Sequence, residues 1–182
     1  MNISKWINAI ASVCDPRSYL HFFRMIHYYG YSHVRPRREM CLGKGSAMAP
    51  NVSLRNGSRI AMGRDCHIGE NCFLWAGEST GRIDLGDNVS LGPGVFITAS
   101  DYQFVAGRRF REQPKRERNI RIGNDVWLGA RVVVTAGVTI GDGCIVGAGA
   151  VVTRDLPSGC IAVGVPAKPV GLRPETSIPP TS

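Results

Sequence analysis

The chain has 182 residues, of which 43% are hydrophobic and 20% charged, with 22 glycines. That length supports one domain with a real core, the balance excludes a disordered chain, and no apolar run approaches the ~18 residues of a membrane span. The formal net charge of +8 favours anionic partners (phosphates, acidic glycans, a lipid surface, nucleic acid) or serves solubility alone.

Residues 1–45 carry no repeat. Ser4 is placed to cap a short helix through Ile10. Asp15 and Pro16 are an N-cap and first-turn pair for a second helix, PRSYLHFFRMIHYY, expected to end near Gly30. This helix is aromatic and basic, and RPRR follows it. Two uses fit it: a cover over the open end of a stack, or contact with a membrane surface. His21, His27 and His33 have no partner motif and read as packing or surface histidines. The start lacks the basic region, apolar run and cleavage site of a secretory signal. A cytoplasmic location is expected, with the inner face of the membrane as an option.

From there a period of six governs the chain. Met48, Leu54 and Ile60 read as a loose first turn. Met62, Ile68 and Leu74 follow, then a five-residue insertion, then Leu85, Leu91 and Ile97. The pattern resumes at Ile122, Leu128, Val134, Ile140, Val146 and Val152. Six fits neither a helix nor an isolated alternating strand, but it fits short strands joined by regular corners. If three hexads make one triangular coil, residues eighteen apart stack: Ile122 on Ile140, Leu128 on Val146, Val134 on Val152. Corners then need Gly, Asn and Asp. Cys66, Cys72 and Cys144 take the small fifth position of their hexads, which is a packing role. With Cys14, Cys41 and Cys160 they make six cysteines, none spaced as CxxC or as a zinc site, so no metal is expected.

The segment IRIGNDVWLGARVVVTAGVTIGDGCIVGAGAVVTRDLPSGCIAVGVPAKPV, with hexads such as IGDGCI and VGAGAV, resembles the hexapeptide-repeat acyltransferases, and within them the sugar O-acetyltransferase branch. The likeness spans roughly residues 48–171. It implies an all-β solenoid, a left-handed parallel β-helix over residues 46–171 behind the helical segment 1–45, with a flexible tail at 172–182. It also implies a homotrimer with active sites between subunits, acetyl-CoA as co-substrate, and a sugar hydroxyl as acceptor in a polysaccharide, glycolipid or nucleotide sugar.

Acetyl transfer requires a held thioester, a proton acceptor and stabilisation of an oxyanion. Family members supply a histidine in wording such as ASNHGF. Here the words are ASDYQF, which put Tyr102 in the histidine's place, or Ser100 with the register moved by two. A phenol of ordinary pKa, about 10, is ionised to only ~0.1% at pH 7, whereas general-base help gives ~10²–10⁴-fold. Either cations activate Tyr102, or Asp101 is the base, or the site is weak. The loop 103–119 interrupts the repeat and supplies Arg108, Arg109, Arg111, Lys115, Arg116 and Arg118, which either grip anions or form a solvated surface. His67 is the one histidine of the coils. Trp75, beside the earlier insertion, is a candidate sugar-stacking residue or a packing one.

The resemblance also carries over a coenzyme A set. Trp127 of VWLG lies beside the pantetheine channel, Ala130 and Ala148 offer backbone to the amide-bearing arm, and Thr153, Arg154 and Lys168 meet the adenosine and its phosphates. Ala130 stands where the family usually has serine. Two alternatives remain: an amino-sugar N-acetyltransferase, and a catalytically silent coenzyme A-binding trimeric scaffold. A γ-type carbonic anhydrase needs three histidines, a nucleotidyltransferase needs a further domain, and no nucleic-acid motif accompanies the charge.

Overall fold

A computed structural model describes residues 3–174. Three parallel sheets surround one aliphatic column. The first face holds strands at residues 41–42, 60–62, 83–85, 120–122 and 139–140. The second holds 47–48, 67–68, 90–91, 127–128, 145–146 and 160–163, the third 53–55, 73–75, 96–98, 133–134 and 151–152. Rung-to-rung hydrogen bonds join them, such as Gly129 N–H to Val146 O at 2.8 Å. The protein is a left-handed parallel β-helix of about five turns.

The period of six is the cause of this shape. One residue in six points inward from each strand, and a second, smaller one turns in at the corner. Ile122 stacks on Ile140, Leu128 on Val146 and Val134 on Val152, as the spacing predicts. Each such side chain is essentially sealed from water, a burial that stabilises by about 1.5–3 kcal/mol apiece. Cys66, Cys72 and Cys144 are buried in the small positions, and all six cysteines are free thiols. Corners between the first and second faces take left-handed backbone at Gly45, Asp65, Asn88, Asp125, Gly143 and Gly159.

The first rung differs from the expectation. Leu42 pairs with Met62, so the first turn is Leu42, Met48 and Leu54, and coil pairing begins before residue 46. Ile60 is not a hexad position. It opens the three-residue strand Ile60–Met62 after a short turn at Gly57–Arg59, which lengthens that corner.

The N-terminal segment also departs from the reading. Helix α1 runs Ile3–Cys14, starting one residue before Ser4 and passing Ile10. Helix α2 is Pro16–Tyr29, and the Asp15 carboxylate accepts the Arg17 N–H at 2.9 Å, the expected cap. Gly30 does not stop the chain: its φ is −55°, and the backbone continues through a wide π-type turn, Gly30–Val34, into α3, Arg35–Glu39. The wide turn carries Ser32 and His33 inward, where Ser32 Oγ and His33 Nδ1 lie 2.6 Å apart. Pro36 packs over Gly57 with no room for a Cβ, Arg37 donates to Ala49 O, and Met40 enters the core. Residues 32–40 therefore cover part of the open end of the stack, over Gly57 and Ala49, and leave Leu42 exposed. Helix α2, for which such a cover is one of the two uses read from sequence, buries none of its residues.

At the other end Leu156 bridges to Ile140, and strand Cys160–Val163 turns back as Lys168–Leu172. Arg173 ion-pairs with Asp125 at 2.6 Å. The expected tail beyond residue 174 lies outside the described residues.

Candidate active site

The chain leaves the coil just after the buried Ala99. Ser100–Tyr102 pairs antiparallel with Lys115–Glu117, setting Ser100 opposite Glu117, Asp101 opposite Arg116 and Tyr102 opposite Lys115. The protrusion thus begins at Ser100 and has a paired base, earlier than the loop 103–119 read from sequence. Strand alternation sends Ser100 and Tyr102 to one side and Asp101 to the other. The side with Ser100 and Tyr102 faces a cleft of about 280 Å³, walled also by Arg55, Trp75, Glu78, Phe96, Thr98 and Lys115. Tyr102 and Trp75, both proposed from sequence, meet there. Asp101 does not line it.

The cleft is polar at one end and aromatic at the other. Tyr102 is 39% exposed, and its ring rests on Phe110 at 4.3 Å between centroids. Lys115 Nζ lies 5.9 Å from the Tyr102 ring and pairs with Glu78, whose hydrogen bond pushes the lysine pKa up and keeps it charged. Trp75 has the Arg55 guanidinium 4.0 Å over its ring and Phe96 nearly edge-on at 5.1 Å. Ser100 Oγ is buried without a hydrogen-bond partner among the described residues, a state that polar atoms rarely keep without cause.

Glu117 fixes this arrangement. Its carboxylate accepts backbone N–H groups from Glu78, Ser79, Thr80 and Gly81, and the hydroxyls of Ser79 and Thr80. Burial pushes the Glu117 pKa up, but the donors from Thr80, Gly81 and Ser79 outweigh it and hold the carboxyl well below the usual range. The five-residue insertion and the hairpin are therefore one clasped unit. The hairpin's tip is organised by Gln113, whose amide bridges Val105 and Arg108, and Arg109 pairs with Glu112 at 3.7 Å. Its remaining arginines are exposed.

A second feature lies at another edge of the prism, between the second and third faces. Ala130 and Ala148 line a groove of about 650 Å³ with Asn71, Pro93, Gly94, Arg131 and Gly149. Beside the groove the rungs pack closely: a Cβ on Gly129 would come within 2.7 Å of Ala148 N. Trp127 stands on the adjoining second face, 54% exposed, in one column with His67, Ser90 and Ile145. Lys168 pairs with Val163 on the rung past Ile145. Thr153 and Arg154 sit instead at the corner between the third and first faces, the edge from which the Tyr102 hairpin springs.

Sequence reading missed Arg131 and Glu117. Arg131 has φ 59°, a left-handed conformation that costs a side-chain-bearing residue about 1–2 kcal/mol and that Gly94 and Gly149 take at the same corner on neighbouring rungs. An arginine in that column was the available signal. For Glu117 there was none, since its partners are backbone and hydroxyl groups nearly forty residues away.

A family model described as bacterial transferase hexapeptide (six repeats) matches residues 119–154, and one described as hexapeptide repeat of succinyl-transferase matches residues 66–99. The galactoside O-acetyltransferase of Escherichia coli strain K12 is 31% identical over 156 residues, covering 77% of this chain and 72% of that protein. Among solved structures, a maltose O-acetyltransferase from Clostridium difficile 630 superposes with TM-score 0.70 at 30% identity, over 77% of this chain and 73% of that one. A galactoside acetyltransferase in complex with coenzyme A gives TM-score 0.70 at 27% identity, over 86% and 80%. The chain belongs to the hexapeptide-repeat acetyltransferases, in the branch that contains the galactoside and maltose O-acetyltransferases.

Proposed function

We propose that the protein transfers the acetyl group of acetyl-CoA to a hydroxyl of a sugar, as a homotrimer with its sites between subunits. The convergence of Tyr102, Ser100, Lys115 and Trp75 on one cleft carries this reading. The outer surface of the third face supports the trimer: Phe73, Phe96, Val133 and Val151 form an apolar column along it. Three such faces turned toward a common axis would set the Tyr102 edge of one subunit beside the Ala130 and Ala148 edge of the next. That arrangement also brings Thr153 and Arg154 of one subunit to the groove of its neighbour.

The groove fits a thin pantetheine arm, because side chains stop at Cβ at Ala130 and Ala148. Arg131, Arg154 and Lys168 supply charge for the phosphates, and Trp127 an apolar wall. Acetyl-CoA contributes an activated thioester. The chain's own task is to orient the acceptor against Trp75, to bond its hydroxyl through Ser100 Oγ, and to take its proton on the Tyr102 oxygen in its phenolate form, with Lys115 as the facing cation. Reliance on acetyl-CoA supports a cytoplasmic site of action, and a polysaccharide or glycolipid precursor suits an open cleft. The test is thiol release from acetyl-CoA with a panel of mono- and oligosaccharides, with the product checked by mass. Release that depends on a sugar and yields an O-acetyl ester supports the reading; the same thiol release with and without acceptors overturns it.

A further inference from the structure

Among the described residues, helix α2 buries no side chain, and its aromatic contacts outside the helix are made by its last turn, where Tyr29 lies 4.7 Å from the His33 ring. Every residue of Pro16–Tyr29 is exposed, although the helix carries Tyr19, Leu20, Phe22, Phe23, Met25, Ile26, Tyr28 and Tyr29. Phe22 and Phe23 are 60% and 64% exposed, the values of side chains in open solvent. At 3.6 residues per turn, Tyr19, Phe22, Phe23, Ile26 and Tyr29 share one face, while Arg17, His21 and Arg24 share the opposite one. In α1, Lys5, Asn8, Ser12 and Val13 are exposed as well. Asp15 is the one acidic residue from Ile3 to Tyr29, and it is engaged as the α2 cap.

We infer that α1 and α2 dock in the plane of an anionic lipid bilayer, burying the Phe22–Phe23 face among acyl chains while Lys5, Arg17 and Arg24 meet the headgroups. Residues 32–40 already cover part of the end of the β-helix, and α2 adds nothing to that cover, since it buries none of its residues. Among the described residues no helix is long and apolar enough to cross a membrane, which leaves lying on the surface as the way to bury this face. The choice of lipid over a second protein rests on charge: the flanks are basic without acidic relief, and anionic lipid gains roughly fivefold in affinity per added Lys or Arg near the surface. Tyr29, at the border of the apolar face, suits the headgroup level.

The experiment is vesicle flotation of the full chain without acetyl-CoA, so that its outcome is independent of the acetyl-transfer reading. Two vesicle types are used, phosphatidylcholine alone and phosphatidylcholine with phosphatidylglycerol. The protein is expected to float with the anionic vesicles, less so with the neutral ones, and to be released by salt. Phe22→Asp with Phe23→Asp should cut flotation by at least tenfold, and Arg17→Glu with Arg24→Glu should cut it on anionic vesicles alone. Since α2 buries nothing, both variants should keep the wild-type melting curve. Absence of flotation overturns the inference, as do variants that float like wild type. If the wild type fails to float and the Phe variant changes oligomer size, the inference is overturned in favour of a second copy on this face.

Discussion

Glu117 Oε2 accepts the Thr80 backbone N–H at 2.6 Å and the Gly81 N–H at 2.9 Å, tying the base of one insertion to the turn of another. The folded carboxyl is held below its ordinary range, so its contribution is fully present above the unfolded pKa of about 4.3 and fades as pH falls below that. Glu117→Gln keeps one acceptor oxygen and should cost about 1 kcal/mol, Glu117→Ala about 2 kcal/mol, after allowance for solvent access. Urea unfolding at pH 7 checks both. The wild-type advantage over Glu117→Gln should shrink at pH 3.5. An equal advantage at both pH values would refute the clasp.

His33 provides a second pH handle, of different origin. Burial lowers its pKa and the Arg37 charge lowers it further. The unfolded chain therefore binds a proton at higher pH than the folded one, and stability falls as pH drops through about 6.5. His33→Gln should flatten the decline in melting temperature between pH 7.5 and 5.5. A decline as steep in the variant as in the wild type would place the titration elsewhere.

Most of the coil was legible because its rule is local. A hexad states its own inward residue, so Ile122, Leu128 and Val134 could be stacked on residues eighteen places later without knowledge of anything else. The insertions broke the count, and there the reading slipped: Ile60 looked like a hexad position because the extended corner at Gly57–Arg59 leaves no trace in the spacing. The same limit applied to the site. Tyr102 and Trp75 were visible as words in the sequence, and the cleft joins them. That Asp101 turns away follows from hairpin pairing with Lys115–Glu117, a register that the intervening loop conceals. Gly30 looked like a helix end because glycine usually is one, but burial of His33 and Pro36 draws the chain onward.

Arg131 holds a strained backbone where glycine serves on the rungs either side, and strain of this kind gathers at functional positions. Arg131→Gly should therefore separate stability from function. The variant should be as stable as wild type or up to about 1 kcal/mol more so. Its KM for acetyl-CoA should rise about tenfold or more, the loss of one charge-assisted phosphate contact, with kcat little changed. A KM within twofold of wild type would remove Arg131 from the groove's chemistry.

Tyr102→Phe removes one oxygen and preserves the ring that packs on Phe110. Stability should hold within ~0.5 kcal/mol, so a change in rate reports chemistry. If the phenol takes the acceptor's proton, kcat should drop by ~10² or more with KM for acetyl-CoA unaltered. Tyr102→His should restore activity with a rise in rate through about pH 6.5, because imidazole acts as a base only when neutral. If Ser100 Oγ bonds the acceptor hydroxyl, Ser100→Ala should raise the acceptor KM and leave that pH profile in place, since a serine hydroxyl does not titrate in this range. Full activity in Tyr102→Phe would exclude the phenol and hand the proton to another group in the cleft.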